Sequence, residues 1–170
     1  SRMRLDQDNR TLLAEGQSAL AEFGAAVEEW KLLIALALTG LAREALRLAS
    51  VYACDRVQFG RPIGTFQAIS HPLADIAVQV DAGGLLAWRA IRAIADNAAE
   101  AGVMIASTLW WNCMAAEKAV MQALHTFGGY GLTLEYDIHL FNLRAKAWPL
   151  VLGDPCLLLQ QAARRRYGGE

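Results

Sequence analysis

From about Ala25 to Arg56, apolar residues recur at helical spacing. Leu33, Leu36, Gly40, Leu41, Leu48 and Tyr52 share one side, and Arg43, Arg47 and Ser50 share the other. That pattern predicts a first long helix. Gln58-Phe59-Gly60-Arg61-Pro62-Ile63-Gly64 interrupts it with two glycines and a proline. Thr65 can cap a second helix over about 66–96, whose stripe runs Leu73, Ile76, Ala77, Val80, Gly84, Ala87, Trp88, Ile91 and Ala95. Pro72 falls in its second turn and predicts a kink. A third helix over 98–127 is apolar almost all round, with Val103, Leu109, Trp110, Trp111, Met114, Val120 and Met121 covering its circumference. Such a helix is buried on every side, so part of its cover is expected from another subunit.

Gly128-Gly129-Tyr130-Gly131 ends the third helix, and Thr133 can cap a fourth over about 134–148. That helix opens on Glu135 and Asp137 and closes on Arg144 and Lys146, as the macrodipole prefers. Asp154-Pro155 reads as an N-cap followed by a first-turn proline, opening a last helix over about 155–167. The expected fold is all-α: an up-down helical bundle of three long and two shorter helices, with breaks near 57–65, 96–98, 128–133 and 149–154. Residues 1–24 are mixed and polar. They read as a connector from a missing upstream domain, with one short helix at 11–22, and residues 25–170 as the bundle domain.

The chain has 170 residues, 55% of them hydrophobic and 19% charged, which excludes a disordered chain. A net charge of −1 excludes the basic face that nucleic acid requires. The dense basic run, Arg164-Arg165-Arg166, closes a predicted helix, where cations suit the dipole. The longest apolar stretch, Leu32 to Ala42, is far short of the roughly 20 residues of a membrane span. The first residues carry no signal-peptide pattern. Cys54, Cys113 and Cys156 are far apart and odd in number, the pattern of inert thiols in a reduced, cytoplasmic protein. His71, His125 and His139 lack metal-ligand spacing, so no metal site is expected.

The two glycine-bearing breaks carry the candidate chemistry. Arg56 ends the first long helix beside Phe59 and Gly60, and a guanidinium suits bidentate phosphate contact. Gly128 and Gly129 let backbone N–H groups approach an anion or ring. Each feature alone also fits a helix end and nothing more. Their surroundings are specific. Tyr52-Ala53-x-x-Arg56-x-Gln58-Phe59-Gly60-Arg61-Pro62-Ile63, then Phe66-Gln67-Ala68-Ile69-x-His71-x-Leu73-Ala74-Asp75, closely resembles the acyl-CoA dehydrogenase C-terminal domain. So does Gly128-Gly129-Tyr130-Gly131-Leu132-Thr133-x-Glu135-Tyr136 followed by Arg144-Ala145-Lys146. The resemblance covers about residues 25–168.

The resemblance implies the last part of a three-part enzyme that binds FAD between subunits, as a dimer or tetramer, and oxidises acyl-CoA thioesters to enoyl-CoA. It implies that Arg56 and Gln67 contact the FAD pyrophosphate and adenosine part, with Phe59 against the cofactor. The neighbouring subunit is expected to contribute His125, Thr126, Phe127, Gly128 and Gly129. The family's catalytic Glu has no counterpart here. Leu152 stands where one branch carries it and Trp30 where another does. Glu29 lies one residue, about 100°, from the second position, and Asp154 two residues from the first. Both are candidate bases, with a solvated helix-start carboxylate and an N-cap as their plainer readings. Two functions follow: the C-terminal part of an FAD-dependent acyl-CoA dehydrogenase with a displaced base, or a non-catalytic partner subunit or structural bundle of a heteromeric dehydrogenase.

Overall fold

The computed structural model describes Leu12, residues 15–152 and residues 154–168. Its elements are α1 (Gly16–Asp55), β1 (Val57–Gln58), β2 (Arg61–Pro62), α2 (Gln67–Ala95), α3 (Ala101–Phe127), α4 (Ile138–Ala147) and α5 (Cys156–Tyr167). Single 3-10 turns precede α2 and α4 and occupy Pro149–Leu152. The expected all-α bundle of three long and two short helices is the observed fold. Most of the expected connector, 1–11 with 13 and 14, lies outside the described residues. From Gly16 onward it is helix: α1 begins well before Ala25, and no break separates a short helix from the long one.

The core is built on alanine. The buried face of α1 carries Ala35, Ala42, Ala45, Ala49 and Ala53 with Leu38, and α3 answers with Ala116, Ala119 and Ala123. Small residues at a helix contact bring the axes close. This corrects the expected stripe on α1. Leu33 is 55% exposed and Gly40 is open to solvent, because the dense alanine seam takes the core side. Trp88, expected on the core stripe of α2, likewise points outward and is 69% exposed. Leu73, Ile76, Val80, Gly83, Ala87, Ala90 and Ala93 form the buried face instead.

α3 is the central helix and packs on α1, α2, α4 and α5. Its apolar girdle is therefore covered largely from within one chain, and Trp110 and Trp111 are half-buried there. Met114 and Met121 are the parts of that girdle left exposed, at 39% and 49%. A buried polar cluster ties the three long helices. Thr39 Oγ1 donates to Asn112 Oδ1 at 2.7 Å, and Asn112 Nδ2 donates to the Gly83 and Thr108 carbonyls at 3.2 and 3.0 Å. Trp111 Nε1 donates to the Gln79 carbonyl at 3.0 Å. At the other end, Arg165 of α5 pairs with Glu28 of α1 at 2.9 Å and donates to the Gly102 carbonyl at 3.1 Å. Glu28 also pairs with the buried Lys31 at 2.8 Å. Burial pushes the Glu28 carboxyl up, but the bonds from Arg165 and Lys31 outweigh it and hold the group below its ordinary value.

Two expected caps are differently employed. The Thr65 hydroxyl donates back to the Pro62 carbonyl at 2.7 Å, and the Thr133 hydroxyl to the Tyr130 carbonyl at 2.9 Å. Each closes its preceding turn rather than opening a helix. Hence α4 starts at Ile138, and Glu135 and Asp137 lie before it. Asp154 does cap: its Oδ1 accepts the Cys156 amide at 2.8 Å. α2 runs on through Pro72.

Candidate functional site

Arg56 is the residue at which α1 stops. Its own amide still donates to the Tyr52 carbonyl at 2.9 Å, while its backbone turns extended (φ −73°, ψ 119°). Its carbonyl accepts the Ile63 amide at 2.8 Å, which returns the chain to the helix end. Between lies a small hairpin, β1 antiparallel to β2 with Val57 opposite Pro62 and Gln58 opposite Arg61. Its two-residue tip is Phe59-Gly60, both at positive φ (53° and 78°). That is the backbone a tight primed turn demands, and phenylalanine holds it at a cost. Phe59 is 92% exposed, touching Phe66 edge-on at 6.1 Å. The Arg61 guanidinium lies over the Phe66 ring, 4.2 Å from its centroid.

α3 ends beside Arg56. Gly128 takes φ 62°, ψ −137°, which terminates the helix and starts the 3-10 turn. A Cβ on Gly128 or Gly129 would meet open space, so this backbone faces a free volume. Gly131 is the opposite case: a Cβ there comes within 3.1 Å of the Leu124 carbonyl oxygen, so the turn folds tightly onto α3. Together the two helix ends enclose a cleft of about 430 Å³. Arg56, Thr126, Phe127, Gly128 and Gly129 line it with Tyr52 and Tyr130. The Arg56 guanidinium sits 5.5 Å from the Tyr130 ring, a cation–π contact. Beneath, Tyr52 stacks on Phe127 at 4.3 Å and Tyr136 meets both rings edge-on. The chemistry on offer is a fixed cation, open glycine backbone and aromatic faces. It suits an anion joined to a flat ring.

Five of the expected site residues converge here, and all five belong to one chain. The fold itself brings Thr126, Phe127, Gly128 and Gly129 to Arg56. Phe59 projects from the hairpin, Gln67 is exposed at the first turn of α2, and His125 is exposed beside the cleft without lining it. Tyr52, Tyr130 and Tyr136 stand in the motifs of the sequence but carried no expected site role. The available signal was spacing: Tyr52 lies one turn before Arg56 and so shares its face.

The candidate bases lie elsewhere. Glu29 and Arg56 are 27 residues apart on one helix, about 40 Å along its axis. Glu29 is exposed at the rim of an apolar groove of about 840 Å³ between α1, α2 and α3. Asp154 lines a separate cleft of about 400 Å³ with Glu117, Lys146 and Cys156. Trp30 is half-buried, and Leu152 closes the 3-10 turn before α5. Cys113 lines the same cleft as Asp154, and burial pushes its thiol up to about 12. It is no nucleophile at neutral pH. Among the described residues no cluster of three acidic, histidine or cysteine side chains could hold a metal, and no helix is long and apolar enough to cross a membrane.

Comparison with known proteins covers most of this architecture. Residues 24–166 match the family model described as acyl-CoA dehydrogenase, C-terminal domain. The acyl-CoA dehydrogenase IpdE2 of Mycolicibacterium smegmatis is 36% identical over 124 residues, 73% of this chain and 38% of that protein. A variant of the Tcur3481–Tcur3483 steroid ACAD superposes with a TM-score of 0.77 at 31% identity, over 82% of this chain and 38% of that one. The ChsE4–ChsE5 complex of Mycobacterium tuberculosis gives 0.76 at 27%, over 82% and 38%. The chain thus spans well under half the length of the relatives it matches. Members of the matched family are FAD flavoproteins. The chain belongs to the acyl-CoA dehydrogenase family, as a helical C-terminal domain.

Proposed function

We propose that this chain supplies the flavin-contacting helical surface of an FAD-dependent acyl-CoA dehydrogenase acting on acyl-CoA thioesters. The observation that carries the reading is the meeting of Arg56 with Gly128 and Gly129 over an aromatic floor. The residues fit part of FAD. Arg56 would hold the pyrophosphate by charge-assisted bonds, the open backbone at Gly128 and Gly129 would approach it, and Tyr130 or Phe59 would take a flat ring. A cleft of about 430 Å³ is too small for the whole cofactor, so the remainder belongs to other parts of the enzyme. FAD, when bound, supplies the hydride acceptor of acyl-CoA oxidation. The chain alone is therefore expected to purify colourless, and a stoichiometrically yellow preparation would contradict this.

Within that reading, the chain does not supply the base that removes the α-proton. A base must reach that proton and carry a lone pair of suitable pKa, and neither Leu152 nor Trp30 has one. Glu29 lies one residue, about 100° around the helix, from the position at which one branch carries its Glu, and Asp154 spends its carboxylate on the Cys156 amide. This supports a second, narrower reading: a non-catalytic subunit of a heteromer, in cytoplasm, whose partner carries the Glu. That one similar structure is a complex of two different chains is consistent with it. The test is acyl-CoA turnover with an electron acceptor, with and without a homologous subunit that carries the Glu. Turnover only in the mixture is expected. Turnover without that subunit, abolished by Glu29→Gln or Asp154→Asn, would return the base to this chain.

A further inference from the structure

Arg56 carries a full charge with no opposite charge against it. Among the described residues its guanidinium makes no ion pair, although Asp55 precedes it and is also exposed. Successive residues at a helix end point about 100° apart, and the guanidinium lies instead 5.5 Å from the centre of the Tyr130 ring. An arginine side chain has many rotamers, and α1 alone does not decide where this charge sits. The ring can decide it, because the ring is itself fixed. The Tyr130 carbonyl accepts the Thr133 amide at 3.1 Å and the Thr133 hydroxyl at 2.9 Å. The next residue, Gly131, is pressed onto α3 against the Leu124 carbonyl. The Tyr130 ring meets Tyr136 edge-on at 6.0 Å, and Tyr136 meets the Tyr52 ring at 5.9 Å. Tyr52 in turn accepts the Arg56 amide at its carbonyl, at 2.9 Å. Arg56, Tyr52, Tyr136 and Tyr130 therefore form a closed circuit of contacts that begins at the Arg56 backbone and ends at its charge.

We infer that Tyr130 is a positioning residue: its ring holds the Arg56 guanidinium in the cleft lined by Gly128 and Gly129, charged and ready for a phosphate. This rests on the flavin reading for what the cleft receives, and it gives Tyr130 a task separate from stacking on a flat ring. Contact with a ring leaves the cation unneutralised, whereas an ion pair with Asp55 would occupy the N–H donors that a phosphate needs. A charge held in place before the ligand arrives also loses less freedom on binding. The Thr133 hydroxyl, which bonds back to Tyr130 and caps no helix, acquires a purpose in this arrangement.

Two measurements on the 170-residue chain test it. The first needs no ligand. A ring face shields protons held over it, so the Arg56 Cδ protons are expected upfield of those of an exposed arginine in the wild type and in Tyr130→Phe. In Tyr130→Leu they are expected at the ordinary position. The second is a titration with inorganic pyrophosphate at low salt, followed at the amides of Gly128 and Gly129. Pyrophosphate has no ring, so a change in its affinity cannot come from lost stacking on the ligand. Wild type and Tyr130→Phe are expected to bind alike, and Tyr130→Leu about two- to tenfold more weakly. On an Arg56→Ala background Tyr130→Leu should make no further difference. Arg56 protons at the ordinary position in the wild type would overturn the inference, whether or not the variants fold. So would a Tyr130→Leu chain that binds pyrophosphate as tightly as the wild type while Arg56→Ala does not, a result that leaves the flavin reading standing. Pyrophosphate that binds without dependence on Arg56, or fails to bind, would remove both.

Discussion

Gly83→Ala is the sharpest test of how the three long helices are held. In the structure a methyl group at position 83 runs into Asn112 Oδ1, with Asn112 Cγ at 3.1 Å and Trp111 Cδ1 at 3.3 Å. Asn112 is 1% exposed and cannot swing to solvent. Overpacking of this kind costs about 1–3 kcal/mol. Displacing the carboxamide also weakens the 2.7 Å bond from Thr39, worth about 1 kcal/mol. Alanine in place of a mid-helix glycine returns about 1 kcal/mol. The net destabilisation is about 1–3 kcal/mol, or roughly 2–10 °C in Tm for a chain of this size. Asn112→Ala alone forfeits the bonds to Thr39, Gly83 and Thr108 and should cost about 2–4 kcal/mol. On that background the clash is gone, so Gly83→Ala should become neutral or stabilising. The two sites are therefore coupled by at least about 1 kcal/mol. Urea unfolding of the wild type, both single variants and the double variant, followed at a helical circular-dichroism band, measures it. A Gly83→Ala chain as stable as wild type, or an equal cost on both backgrounds, would refute the argument.

Acid should weaken the junction of α5 with α1. The Glu28 carboxyl is held below its ordinary value of 4.5, so its contribution is complete above that pH and fades as pH falls through the lower folded value. The Tm difference between wild type and Glu28→Gln should be constant near neutral pH and close as the pH falls from 4.5 through the lower folded value. Thiol titration in the native state should detect Cys54 and Cys156, which are exposed, and reach Cys113 only on unfolding. Cys156 should react more slowly than Cys54, because the Asp154 charge and hydrogen bond push its thiol up, and Asp154→Asn should speed it. Phe59→Asn should raise Tm, since asparagine holds positive φ more readily; an unchanged or lower Tm would mean that the hairpin tip is not strained.

Helix number, the two glycine-bearing breaks and the Arg56 and Gly128 motifs were all legible in the sequence, because helical periodicity and breaker residues are local signals. Which face of α1 is buried was not. In a chain that is 55% hydrophobic, hydropathy ranks Leu33 above Ala35, yet close packing against α3 selects the smaller side chain. Trp88 was misplaced for the same reason: Ala87 takes the core side of α2 and the larger ring is left 69% exposed. The hydroxyls of Thr65 and Thr133 could bond forward into a helix or back into a turn, and only the traced backbone decides. The Tyr52–Phe127–Tyr136 cluster joins residues from three parts of the chain, a contact that no local pattern encodes.

The central claim is that the Arg56 cleft receives the phosphate-bearing part of FAD. The most direct measurement is a titration of the isotopically labelled chain with FAD, read residue by residue from amide chemical shifts. The account predicts weak, saturable shifts centred on Gly128, Gly129, Tyr130 and the Arg56 hairpin. Arg56→Ala should lower the affinity roughly tenfold to a hundredfold, the loss of a charge-assisted bond worth about 1.5–3 kcal/mol. Shifts centred on any other surface, or an affinity unchanged by Arg56→Ala, would contradict it.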